Sequence, residues 1–223
     1  RARDTQVQID AAPPPRARHA RCGCASTLAF ELSDGAARVI VNCGGAALAG
    51  GQVPARIGQG LRASAAHSTL VLDNANSTAV ELHGKLGRGS HDGYEARFGL
   101  THRRVLSLRA DGTELAGEDI LVPAGRKGKR GKIGFAIRFH LGKGVEARLS
   151  EDGRGASLLT ADGKLWQFRL RGDSAAAGDI ALAVEDSLWV DGEGRPHPTE
   201  QLVIEGLTSR GGGQFSWLLR KTG

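Results

Sequence analysis

"FAIRFHL", residues 135–141, alternates without a break. Phe135, Ile137, Phe139 and Leu141 fall on one face; Ala136, Arg138 and His140 fall on the other. Successive side chains of an extended chain point to opposite sides, so a period of two marks a strand with one apolar face. The same beat runs through "LWQFRLR" (165–171), where Trp166, Phe168 and Leu170 oppose Gln167, Arg169 and Arg171. It returns in "FSWLLRK" (215–221), with Phe215, Trp217 and Leu219 inward, and in "RVIVNC" and "TAVELHG".

Between these runs stand Asp34-Gly35, Asp111-Gly112, Asp152-Gly153, Asp162-Gly163 and Asp191-Gly192. Asp-Gly between alternating segments is a strong hairpin signal, because tight turns need left-handed backbone that Gly adopts freely. About a dozen strands result. No stretch carries a long helical stripe with a cap and a stop; "PARIGQGLRASAAHST" (54–69) offers at most a helical turn. The expected fold is all-β: a large antiparallel β-sandwich of two stacked sheets. The strands never pause for a long linker, so residues 1–223 read as a single domain. There is no internal repeat.

The bulk numbers set outer limits. A chain of 223 residues buries roughly 70% of its unfolded surface. Its net charge of +6 is modest and compatible with an acidic partner. Aromatics make up 4%, too few for a base-stacking nucleic-acid platform. No apolar run is long enough to span a membrane. The chain has no methionine and begins "RARDTQVQID", which reads as a piece of a longer protein. Three cysteines fit a reducing compartment, or one bridge plus a free thiol.

Several clusters carry candidate chemistry. Cys22 and Cys24 share one face of a strand and can approach Cys43 across a hairpin. Read alone they are small buried residues, a disulfide pair or part of a metal site. His67 opens an apolar strand. His91, Asp92 and Tyr94, the one tyrosine, lie within four residues, and His102, Arg103 and Arg104 follow. Such a set suits proton transfer, or equally a hydrogen-bonded hairpin end. "GRKGKRGK" (125–132) is a basic loop suited to a polyanion, or simply solvated, and Pro13-Pro14-Pro15 is a stiff spacer.

In their order, these motifs resemble the C-terminal half of the heparinase II/III-like polysaccharide lyases. There, a hairpin of the form His-x-His-x-Asp-x-Leu-Ser-Phe-x-Leu precedes an apolar strand ending in Asp-x-Gly. Here "CGCASTLAFELSDG" (22–35) and "VIVNCGG" (39–45) hold those places. A later strand, Arg-x-x-x-x-His-Asn-Thr-Leu-x-Val-Asp, is matched by "RASAAHSTLVLD", with Arg62, His67, Thr69, Leu70 and Asp73 in register. "HDGY" (91–94) and "HRR" (102–104) are similar to the family's following segments, and "FAIRFHL" to its Phe-His-Leu-His strand.

The resemblance implies a β-sandwich that follows an N-terminal (α/α) toroid, absent here, and β-elimination of a uronic-acid-containing acidic polysaccharide such as heparin, heparan sulfate or alginate. A base takes the C5 proton while donors neutralise the carboxylate. It places catalytic roles at Cys22, His67 and Tyr94, and substrate contacts at His91, His102, Arg103 and Arg104. It also implies a zinc site at Cys24, Asn42 and His67. The family's histidines fall on Cys22 and Cys24, its metal aspartate falls on Asn42, and Ser26 replaces an acid. A neutral amide is a poor zinc ligand, so the expectation is a weakened or absent site. A non-catalytic sandwich that binds glycans or supports its toroid is the alternative. The family suggests a periplasmic or secreted location, and the thiols a cytoplasmic one.

Overall fold

The computed structural model describes residues 1–11, 23–44, 53–77, 81–82, 88–125, 131–172 and 180–222. Its strands are β1 (Thr5–Ile9), β2 (Phe30–Asp34), β3 (Ala37–Val41), β4 (Leu70–Leu72), β5 (Glu81–Leu82), β6 (Arg88–His91), β7 (Leu100–Leu108) and β8 (Glu114–Pro123). They continue as β9 (Lys132–Leu141), β10 (Glu146–Leu149), β11 (Gly155–Leu159), β12 (Leu165–Arg171), β13 (Ala181–Val190), β14 (Pro196–Ser209) and β15 (Gly213–Thr222). Two short helices, α1 (Ala55–Gly60) and α2 (Glu95–Phe98), and a 3₁₀ turn (Ser64–Ala66) complete the described elements. None of these helices is long or apolar enough to cross a membrane.

The strands form two antiparallel sheets. The first has seven strands in the order β1-β2-β3-β9-β14-β13, with β4 also paired to β9. The second has eight, in the order β10-β11-β12-β15-β8-β7-β6-β5. The all-β sandwich expected from the alternation is therefore what the chain adopts. Each of the five Asp-Gly pairs sits between strands that pair as neighbours: β2/β3, β7/β8, β10/β11, β11/β12 and β13/β14. The aspartates help close the turns. Asp111, Asp152 and Asp191 accept from the backbone N–H of Thr113, Arg154 and Glu193 at 2.9, 3.0 and 2.9 Å.

The inward residues of the three opening runs meet between the sheets. Trp217 is at their centre, stacked on Phe30 with ring centroids 5.4 Å apart and edge-on to Phe139 at 4.9 Å. Room for its indole exists because residue 117 is glycine. A Cβ there would lie 2.1 Å from the ring.

The second face of β9 is not open either. Ala136 and His140 are buried. The 3₁₀ turn and α1 fold back over the outside of the first sheet, where Cys43, Leu61 and Val190 make a small apolar cluster. The helical turn read in residues 54–69 is thus present, and it roofs this sheet. The prolines at 13–15, Cys22 and most of the basic loop (126–130) lie outside the described residues.

Candidate functional site

His67 ends the 3₁₀ turn and leads into β4. Its Nδ1–H donates to the Ala63 carbonyl at 2.9 Å, a bond that only the Nδ1-protonated tautomer can make. That leaves Nε2 with a bare lone pair, and no described residue bonds to it. Burial holds the ring's pKa below its ordinary value, outweighing the Ala63 bond and the nearby charges of Asp10 and Glu31. The product is a neutral imidazole with one nitrogen available to accept a proton or a ligand.

The turn is tied to the chain before β2. Arg62 Nε donates to the Gly23 carbonyl at 2.7 Å, the Ala25 N–H to the Arg62 carbonyl at 2.8 Å, and the Ser64 hydroxyl to the Ala25 carbonyl at 2.7 Å. These bonds bring the backbone on either side of Cys24 alongside the His67 turn. Asn42 joins from the end of β3. Its amide oxygen accepts the Ser68 N–H at 2.9 Å and its Nδ2 donates to Glu31 at 3.2 Å. Ser26 donates to Asp10 at 2.5 Å.

The second expected cluster behaves differently. His91, Tyr94, His102 and Arg104 are all buried. Their hub is Asp119, an acid on the inward face of β8. His102 Nε2–H donates to Asp119 Oδ1 at 2.8 Å, Arg104 reaches both carboxylate oxygens at 2.8 and 3.1 Å, and Trp217 Nε1 donates at 3.0 Å. Burial works to raise the carboxyl's pKa, but the Arg104 guanidinium and His102 outweigh it, so Asp119 stays ionised. With its Nε2 protonated, His102 offers Nδ1 to His91 Nε2–H at 3.1 Å. His91 Nδ1 is left buried with no partner among the described residues.

This network braces the first sheet against the second. Arg104 Nη1 donates to the Leu28 and Ser68 carbonyls at 2.8 and 2.7 Å, and the Tyr94 hydroxyl to the Leu70 carbonyl at 2.8 Å. His91, His102 and Arg104, expected at substrate, are instead engaged with one another and with Asp119 between the sheets, and the buried Tyr94 hydroxyl is a donor with its pKa raised by burial. Period-two geometry explains the split: His102 and Arg104 point inward, while Arg103 between them is exposed on the opposite face.

The comparisons with known proteins follow this geometry. The family described as "Heparinase II/III-like, C-terminal" matches residues 1–218. The chain belongs to that family. The heparan sulfate lyase HepC from Pedobacter heparinus superposes with a TM-score of 0.75 at 15% identity, over 97% of this chain and 33% of that one. A structure of heparinase III gives 0.68 at 15% identity, over 89% and 30%. FtsZ-localized protein C of Caulobacter vibrioides (strain NA1000 / CB15N) is 30% identical over 190 residues, covering 74% of this chain and 33% of that protein. The heparinase II/III-like chain thus spans about a third of the relatives it matches.

The zinc implied by the resemblance meets a poor donor set. Asn42 already spends its oxygen on the Ser68 amide. Among the described residues no three His, Cys, Asp or Glu side chains stand close enough to share an ion. Cys43 is tied to the His67 turn through its backbone, its N–H donating to the Ala66 carbonyl at 2.9 Å. Its thiol faces His140 Nδ1 at 3.4 Å and Ser187 at 4.0 Å, and burial pushes its pKa up to about 11 against the Ser187 and Leu188 hydrogen bonds. Cys22 falls outside the described residues.

Sequence reasoning missed Asp119, although a signal was present. In "ELAGEDILVP" the inward beat is Leu115, Gly117, Asp119, Leu121, an acid on an apolar face. Glu31 and Asp10 beside His67 carried no comparable sign.

Proposed function

We propose that the chain is the sandwich wall of a heparinase II/III-like protein that cleaves a uronic-acid-containing polysaccharide by β-elimination. On this reading a toroid elsewhere in the protein carries most of the reacting groups. The observation that supports it is the His67 imidazole, neutral, anchored through Nδ1 and with no partner at Nε2 among the described residues. Such a nitrogen suits accepting a proton or a hydrogen bond from a sugar. Exposed Arg103 lies on the far sheet and takes no part. The lack of a third donor among the described residues leads us to propose that this branch works without zinc.

Ultraviolet absorbance of the unsaturated product tests the reading. The complete protein should produce it from heparan sulfate, heparin or alginate, and His67→Ala should lower kcat while folding is retained. The 223-residue chain alone should not produce it. Elemental analysis showing one zinc per chain, lost in His67→Ala, would overturn the metal-free proposal.

A second reading is favoured by Cys24, Ser26 and Asn42 at positions where the family pattern has a histidine and two acids, and by the relative named FtsZ-localized protein C. Here the sandwich is non-catalytic and the parent protein serves at the division site. Midcell localisation of the tagged protein, with no absorbance from any acidic glycan, would select it.

A further inference from the structure

Trp189 differs from the chain's other two indoles. Trp166 and Trp217 are fully buried, whereas Trp189 is only partly covered. It forms one wall of a cavity of about 340 Å³ at the end of the sandwich where β9 stops. Arg38 from β3, Lys143 after β9 and Asp162 in the β11/β12 turn form other walls. The Arg38 guanidinium lies 5.9 Å from the indole centroid, and His197 stacks on the ring at 5.7 Å. His197 is itself held by Asp191 at 3.0 Å, so the plane of the indole is set before any ligand arrives.

The charges around this cavity do not cancel. Arg38 and Lys143 are exposed, and neither has an ion-pair partner among the described residues. Asp162, the one acid in the lining, is already paired with Lys164 at 3.0 Å and accepts the Thr160 hydroxyl at 2.5 Å. Two cations with no ion-pair partner among the described residues therefore flank an aromatic wall, Arg38 lying over the Trp189 ring. That combination fits a ring with a C–H face and an anionic substituent.

We propose that this cavity binds one acidic sugar unit of a glycan, its C–H face against Trp189 and its carboxylate or sulfate between Arg38 and Lys143. The site is separate from the His67 turn: along β3, Arg38 precedes Asn42 by about 13 Å at strand rise. It needs no turnover at His67, so it stands or fails apart from the lyase reading.

Intrinsic fluorescence reports on it directly, because Trp189 is the one indole that is not fully buried. A hyaluronan tetrasaccharide, carboxylated but unsulfated, and a chondroitin sulfate tetrasaccharide should each shift the emission, while neutral cellotetraose should not. Arg38→Gln or Lys143→Gln should weaken binding about tenfold, and added salt should weaken it further. His67→Gln should leave it unchanged. Both cations are at the surface, so these substitutions spare the fold. No response to either acidic tetrasaccharide, equal binding of cellotetraose, or full affinity in Arg38→Gln would each overturn the proposal.

Discussion

Lowering the pH from about 7 to about 5 should remove a large part of this domain's stability before its carboxylates begin to titrate. Burial is the leading cause in every case: it holds His67, His91, His102 and His140 neutral. Burial, with His102 and Arg104 nearby, pushes His91 down to about 2; burial, offset by the Ala65 carbonyl and reinforced by His67 and Arg138, pushes His140 down to about 4. In the unfolded chain each would titrate near 6.5. A histidine whose folded pKa is lowered costs nothing above that value. Below it the unfolded state takes up a proton that the folded state refuses, and stability falls by about 1.4 kcal/mol per pH unit for each such group. At about pH 5, His91 and His140 each subtract about 2 kcal/mol, together about 4 kcal/mol. His67 and His102 act in the same sense. A domain is stable by only about 5–15 kcal/mol, so this is a large fraction.

Urea unfolding followed by tryptophan emission measures the loss, and its slope against pH counts the protons taken up. His140→Gln and His91→Gln should each reduce that count by about one, whatever they do to absolute stability. Asp119 is not confounding in this window. Its folded pKa is lowered, so its stabilisation is present above the ordinary carboxylate range and fades only below it. An uptake near zero between about pH 7 and pH 5 would refute the burial argument, because four neutral imidazoles cannot be hidden from that measurement.

Other outcomes follow from single contacts. Arg104→Gln leaves the Asp119 carboxylate buried without its cation and should cost about 3–5 kcal/mol in denaturant unfolding, while Arg103→Gln next to it should stay within about 0.5 kcal/mol. Gly117→Ala drives a methyl into the Trp217 ring and should cost about 1–3 kcal/mol, read as a lower thermal midpoint. The Cys43 thiol, with its pKa near 11 and its Sγ facing His140, should escape alkylation in the native protein and react on unfolding, as peptide mass spectrometry would show.

The fold was legible because its signals are local. Alternation at 135–141, 165–171 and 215–221 sets the inward faces, and each Asp-Gly joins the strands on either side of it. The site was legible only in part. Position 67 was read as opening a strand, and it stands at the end of the 3₁₀ turn just before β4. That Tyr94 and His102 face inward depends on which side of β7 packs on the first sheet and on how α2 seats, and both are long-range facts. In "HRR" the alternation itself separates Arg103 from its neighbours, so reading the three as one surface ignored the period that had located the strands. Asp10 and Glu31 reach His67 through the fold alone, from strands far apart in sequence.

On the lyase reading, the brace also changes how loss of activity should be interpreted. Arg104 Nη1 holds the Ser68 carbonyl, one residue from His67, and Tyr94 holds the Leu70 carbonyl at the start of β4. Variants at His91, Tyr94, His102 or Arg104 can therefore disturb the His67 turn through this brace alone. If these four act through position, Tyr94→Phe should lose one hydrogen bond, about 1 kcal/mol of stability, and activity should fall only as far as the folded population and the His67 geometry do. The pH dependence of kcat in the complete protein should then keep its wild-type midpoint. A reacting tyrosine predicts the opposite: near-total loss of turnover in Tyr94→Phe at unchanged stability, with a limb of the pH profile removed. Its hydroxyl is sealed between the sheets and donates to a backbone carbonyl, so the first pattern is the one the geometry demands.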